Sequence, residues 1–169
     1  MPPLRPCSDN HHSLRLFRMG MPGSRPLNRE ILLPASLSKE ILVHCLSVRP
    51  EEGCGLVAAD SSGRAVAVLP ITNALHSPVR YQMETREQFD AMKRLRREGW
   101  SLWAIFHSHP HSEPAPSPTD IRLAFYPDCL YIIAGLGTDP PILRCFSIVD
   151  GKISEHILRI VPDSVTNLD

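Results

Sequence analysis

At 169 residues, with hydrophobic residues at 43% and charged residues at 21%, the chain has the size and composition of one globular domain whose core needs no disulfide staples. Lysine plus arginine and aspartate plus glutamate both number 18, so no net field draws nucleic acid or an anionic membrane, and a partner must be recognised by local features. The longest uninterrupted apolar run, Leu130 to Leu136, is too short to span a bilayer; five cysteines (Cys7, Cys45, Cys54, Cys129, Cys145) without CxxC spacing argue against a disulfide framework or zinc ribbon and fit reduced thiols in a cytoplasmic protein.

Residues 1–28 are rich in Pro, Arg and Ser, hold one acidic residue, Asp9, and show no amphipathic period, so no fixed fold is expected there. They lack the residue order of a secretory signal; Met19 and Met21 offer later starts, and a transit peptide is the other reading of an arginine-rich leader. A single folded domain is expected over 29–169.

From Leu33 the pattern becomes foldable: Pro34 and Ser36 mark a helix start, and Leu37, Ile41, Leu42, Cys45 and Leu46 follow a 3.6-residue period that ends before Pro50. The stretches 55-GLVAA-59 and 65-AVAVLPI-71, around 60-DSSGR-64, predict a β-hairpin. Thr85 and Gln88 are spaced as a capping box for a helix over about 86–98 with Phe89, Met92 and Leu95 on one face, and the basic run 93-KRLRRE-98 suits its C-terminal end.

Next, 102-LWAIF-106 reads as a strand buried on both faces, with His107 and His109 continuing from its end. Ser117 followed by Pro118 predicts the N-cap of a third helix carrying Asp120, Ile121, Leu123 and Ala124. Strands are expected at 130–136, 142–149 and 152–160, the last two joined through Asp150-Gly151. The order predicts a mixed α and β (α/β) domain, a largely antiparallel mixed sheet flanked by helices.

The chemistry concentrates in 107-HSHPHSEPAPSPTD-120. Residues two apart in a strand point the same way, so His107 and His109 present both imidazoles to one side. A catalytic zinc takes three protein ligands and leaves a fourth position open; Asp120, in the first turn of the helix capped by Ser117, is the candidate third ligand, kept ionised by unpaired N–H groups and the helix dipole. There is no HExxH helix and no HxE…PCxxC pattern, and the chain is shorter than an amidohydrolase barrel ordinarily requires.

The combination 52-EGCG-55, 107-HSHP-110 and 117-SPTD-120, with Pro110 to Thr119 between the second histidine and the aspartate, resembles the JAMM (MPN-plus) metalloproteases. The stretches 50-PEEGCGLV-57, 72-TNALHSPVRYQM-83 and 117-SPTDIRLAFYPD-128 are similar to the short bacterial branch, and the resemblance covers roughly 33–160. It implies a cytidine-deaminase-like sheet between helices, zinc held by His107, His109 and Asp120, Glu52 rather than Glu51 as general base, and Ser117 stabilising the oxyanion. The implied reaction is hydrolysis of a peptide or isopeptide bond after the Gly-Gly tail of a ubiquitin-like sulfur carrier. Other roles for the same fold are processing of cell-wall or phage-tail peptides and a metal-free MPN scaffold.

Nearby residues have plainer readings. Cys54 is expected to be a small buried neighbour of the site, His111 an exposed loop histidine, and His44 and His156 structural; His11, His12 and His76 are unassigned.

Overall fold

A computed structural model describes residues 29–163; the expectations for 1–28 lie outside the described residues. The elements run β1 (Glu30–Pro34), α1 (Ala35–Ser47), β2 (Cys54–Ala59), β3 (Ala65–Ile71), α2 (Thr85–Glu98), β4 (Ser101–His109), α3 (Pro118–Arg122), β5 (Leu130–Gly135), β6 (Ile142–Val149) and β7 (Lys152–Val161). Seven strands form one sheet in the order β1-β7-β6-β5-β4-β2-β3. The β1–β7 and β4–β5 pairs are parallel and the others antiparallel, as a largely antiparallel mixed sheet requires.

The sheet separates two apolar layers, because successive strand residues face opposite ways. On one face Val57, Phe106, Ile132 and Cys145 pack against Leu37, Ile41 and Cys45 of α1. On the other, Leu56, Ile105, Tyr131, Ile133 and Phe146 pack with Ala91 and Leu95 of α2. Phe106 is fully buried, and its ring lies over Gly55: a Cβ there would meet the ring at 2.6 Å and the Leu69 carbonyl at 2.5 Å. The glycine of the EGCG stretch is therefore a packing requirement, the place where β2, β3 and β4 close together.

The predicted elements recur with five differences. β1 was not anticipated; five residues beside Pro34 give too short a pattern, and its place comes from a parallel ladder with β7 more than a hundred residues away. The cap of α2 is Glu84, whose side chain accepts from Glu87 N–H, not Thr85, because Thr85 already has helical geometry. Phe89 is 53% exposed and the buried face runs through Ala91 and Leu95, so the apolar side is narrower than its hydrophobic letters suggest. β4 starts one residue earlier than the expected run, at Ser101, and carries His107 and His109 at its end as expected. α3 stops at Arg122, leaving Leu123 and Ala124 beyond it. Among the described residues no helix is long and apolar enough to cross a membrane.

Candidate metal and catalytic site

Extension of β4 decides where the histidines stand. His107 and His109 share a face with Ile105, so both rings enter the layer beneath α2, and they are 1% and 5% exposed. Ser108, between them, points the other way and is fully buried.

Asp120 comes to the same place from α3. Ser117 is its N-cap: Ser117 Oγ accepts from Asp120 N–H at 3.2 Å, and Asp120 Oδ2 accepts from Ser117 N–H at 2.7 Å, a reciprocal box with Pro118 at the first helical position. The box fixes the aspartate rotamer, and its carboxylate faces both imidazoles: Oδ1 lies 3.3 Å from His107 Nε2, Oδ2 lies 3.6 Å from His109 Nε2, and the two Nε2 atoms are 3.1 Å apart. These three groups form the candidate metal cluster among the described residues.

The spacing can be tested against an ion. Zinc bonds of about 2.0–2.2 Å at tetrahedral angles put neighbouring ligand atoms about 3.3–3.5 Å apart; the 3.1 Å between the two Nε2 atoms and the 3.3 Å from His107 Nε2 to Asp120 Oδ1 are close to that spacing, with the second carboxylate oxygen 3.6 Å from His109 Nε2. His109 Nδ1 lies 2.6 Å from the Glu113 carbonyl, which can only accept, so the ring donates there and keeps its Nε2 lone pair for the cluster. His107 Nδ1 is buried without a partner, which leaves that ring held by packing: Tyr81 stacks on it with centroids 4.6 Å apart.

Electrostatics follow the same geometry. Burial is the largest influence on Asp120 and opposes ionisation, but hydrogen bonds from His107, His109 and Ser117 outweigh it and hold the carboxyl well below the usual range. Burial also disfavours the charged form of His109, yet contacts with Asp120, the Glu113 carbonyl and Glu52 reverse the sign and raise it. His107, more deeply enclosed, is lowered by burial despite Asp120. A carboxylate beside a neutral histidine is a donor set that a divalent cation matches.

Glu52 precedes β2 on the face that Cys54 and Leu56 share. Cys54 is in register with His107, and the ladder continues through Ser108 N–H to the Gly53 carbonyl at 2.9 Å, which sets Glu52 beside His109. It is 5% exposed, and burial first, with Asp120 adding and His109 opposing, pushes its carboxyl up to about 7. Glu51 turns outward and meets His76 Nδ1 at 3.1 Å. Thus the sheet brings the second glutamate of the pair to the cluster and leaves the first at the surface.

Ser117 and Asp120 line a cavity of about 300 Å³ together with Tyr81, Thr119, Tyr126 and Tyr131. Cys54 is buried, its thiol hydrogen-bonded to the Ile71 carbonyl and pushed up to about 12 by burial, so it is a packing residue here. His111 is exposed, His44 stands edge-on to Phe106, and His156 contacts Ser147 Oγ at 3.0 Å. Sequence reasoning missed Asn73, Tyr81, Ser108 and Glu113; their letters lie inside the quoted stretches, but their roles come from backbone contacts that no spacing rule reports.

The chain is similar to known proteins over most of its length. Residues 34–149 match the family described as prokaryotic homologs of the JAB domain. The CysO-cysteine peptidase of Mycobacterium tuberculosis is 32% identical over 134 residues, 78% of this chain and 91% of that protein. A probable TtuB-protein conjugate cleaving protease of Thermus thermophilus is 37% identical over 123 residues, 72% of this chain and 78% of that one. Among solved structures, a protein from Desulfitobacterium hafniense matches with a TM-score of 0.71 at 32% identity, covering 78% of this chain and 93% of its own.

Proposed function

Because the chain belongs to the prokaryotic homologs of the JAB domain, we propose that it is a zinc-dependent peptidase that hydrolyses the bond following the Gly-Gly tail of a ubiquitin-like sulfur carrier. The observation that carries this reading is the cluster of His107, His109 and Asp120, with the two Nε2 atoms 3.1 Å apart and 3.3 and 3.6 Å from the two oxygens of the carboxylate, and a buried glutamate beside it. One relative is named a CysO-cysteine peptidase and another a probable TtuB-protein conjugate cleaving protease; such names fit substrates in which a protein is joined to an amino acid or to a second protein.

His107, His109 and Asp120 would hold the metal. Bound zinc supplies Lewis acidity and lowers the pKa of a water toward about 7. Glu52, buried beside His109, accepts a proton as water attacks the scissile carbonyl and returns it to the leaving amine. Ser117 Oγ accepts from Asp120 N–H, and its hydroxyl proton, within reach of the Asp120 carboxylate, would turn to donate to the tetrahedral oxygen, a contact worth about 3 kcal/mol in the transition state.

Intact mass spectrometry tests this directly. A ubiquitin-like sulfur carrier extended by one residue after Gly-Gly is incubated with the zinc-loaded protein and, in parallel, with Glu52→Gln. Loss of the extra residue with the unmutated protein is expected, and removal of the base should slow it by about 10²- to 10⁴-fold. An unchanged mass with both proteins, despite one equivalent of zinc, would overturn the carrier assignment. Equal turnover by both would instead remove Glu52 from the mechanism.

A further inference from the structure

The connection from β3 to α2 is not a slack loop. Asn73 is 4% exposed, and its side chain uses every hydrogen-bonding position it has. Its Nδ2 donates to the carbonyls of Glu52 at 3.1 Å and Arg80 at 3.0 Å, with the Ser77 carbonyl at 3.4 Å sharing a hydrogen. Its Oδ1 accepts from the Leu75 and Gln82 N–H groups, both at 3.1 Å. Around this amide the segment closes on itself through Ala74 N–H to the Gln82 carbonyl at 2.8 Å and a bridge between Asn73 and Met83. Within the closed segment His76 takes φ 46°, in the left-handed region that few non-glycine residues adopt.

One of those bonds leaves the loop and reaches the candidate base. The peptide after Glu52 is gripped from both ends: Asn73 takes its carbonyl, and Ser108 Oγ takes the Gly53 N–H at 2.8 Å. Glu52 N–H donates to the Ser77 carbonyl at 2.9 Å, the same carbonyl that Asn73 approaches. On the opposite side, Asn73 holds Arg80 and Gln82, the two neighbours of Tyr81, whose ring lies on the His107 imidazole. A single buried amide thus touches the backbone of the base and the residues flanking the aromatic that seats a ligand.

We infer that Asn73 is a positioning residue, an amide clasp that fixes Glu52 relative to His107 and His109 and binds the 74–82 loop into the site. The inference rests on the peptidase reading for the role given to Glu52. Aspartate cannot replace the amide, because a carboxylate would face the carbonyls of Glu52, Ser77 and Arg80 with no hydrogen to offer. Alanine would leave those carbonyls and two N–H groups without their partner.

Hydrogen exchange by mass spectrometry on zinc-loaded wild type, Asn73→Ala and Asn73→Asp, with turnover of the extended carrier measured on the same samples, decides the matter. The expected result is that amides of Glu52 and Gly53 exchange at least about tenfold faster together with those of 74–82, while amides of β6 are unchanged. With bound zinc retained, kcat should fall by about 10²-fold and KM should stay within about threefold, the signature of a misplaced group and not of lost substrate binding. Faster exchange confined to 74–82, or a raised KM with intact kcat, would overturn the inference and leave Asn73 as a residue that only shapes a loop. Should Asn73→Ala fail to fold, Asn73→Asp has nearly the same volume, keeps the Oδ1 acceptor and reads the same split. Absence of carrier turnover by the wild type would sink the substrate reading alone, since the exchange pattern still decides what Asn73 holds.

Discussion

The two walls of the site are built by different physics. The candidate metal-binding wall is nearly local: fourteen consecutive positions, 107-HSHPHSEPAPSPTD-120, contain a strand that aims two imidazoles and a capped helix that aims a carboxylate. The wall that holds Glu52 is assembled from distant pieces, with the residues before β2 tied to Ser77 and Asn73 on one side and to Ser108 on the other. Local construction gives chemistry that spacing can announce. Long-range construction gives position, and position is written in backbone hydrogen bonds.

The largest effect should come from the local wall. Asp120→Asn keeps the shape of the side chain but removes the charge of a carboxyl that the imidazoles and the Ser117 side chain hold well below its ordinary pKa. Zinc content measured after dialysis should drop below half an equivalent, and turnover should fall by at least about 10³-fold, roughly 4 kcal/mol. Full zinc occupancy with the asparagine would mean that the ligand set is drawn wrongly.

Ser117 is next, because it serves that wall twice. Ser117→Ala should lose about 10²-fold in kcat through the missing hydroxyl donor and about 1 kcal/mol of stability through the lost cap. Ser117→Asp separates the two jobs: a carboxylate can cap Asp120 N–H but cannot donate. Stability that stays near wild type while kcat remains depressed is the expected outcome in thermal melts and steady-state kinetics; recovery of kcat with aspartate would remove the donor role.

The distant wall has a pH signature of its own. Burial raises the Glu52 carboxyl from 4.5 to about 7, so the folded metal-free protein favours its protonated form. The stabilisation that this proton gives is complete below about 4.5 and is lost as pH rises through about 7. Glu52→Gln mimics the neutral form permanently. Relative to wild type, metal-free Glu52→Gln should therefore gain stability between pH 5 and 8, by up to about 3 kcal/mol at the upper end, with no gain near pH 4. Chemical denaturation at pH 4 and pH 8 checks it, and an equal difference at both values would remove the buried carboxyl as its cause.

These contrasts explain what the sequence disclosed. HxHP and SPTD disclose a cluster because β4 has a period of two and a serine cap sets the rotamer three residues on, both short-range rules. β1 stayed hidden because a five-residue strand gains its place from β7, and the buried face of α2 is narrower than its letters suggest because Phe89, though apolar, is half exposed beneath Lys93. The choice of Glu52 over Glu51 needed a family pattern, since two adjacent glutamates look alike until the register of β2 on β4 sends one inward. Asn73 gave no signal because an asparagine between a strand and a helix reads as an ordinary turn former.

That adjacent pair yields the smallest effect and the sharpest comparison. Glu51 and Glu52 share one chemistry and differ by a single step along the chain, yet one is buried beside His109 and the other meets His76 at the surface. The Glu51–His76 pair is half exposed or more on the histidine side, where water and salt screen it, so its loss should cost less than about 1 kcal/mol. Glu51→Gln is accordingly expected to keep kcat within about threefold of wild type, whereas the same change one residue later removes the base. Because both substitutions replace a carboxyl by an amide within the same segment, the change in side-chain chemistry is common to them and only position differs. A loss with Glu51→Gln that matched Glu52→Gln would show that the charge of the segment, and not the position fixed by the sheet register, does the chemistry.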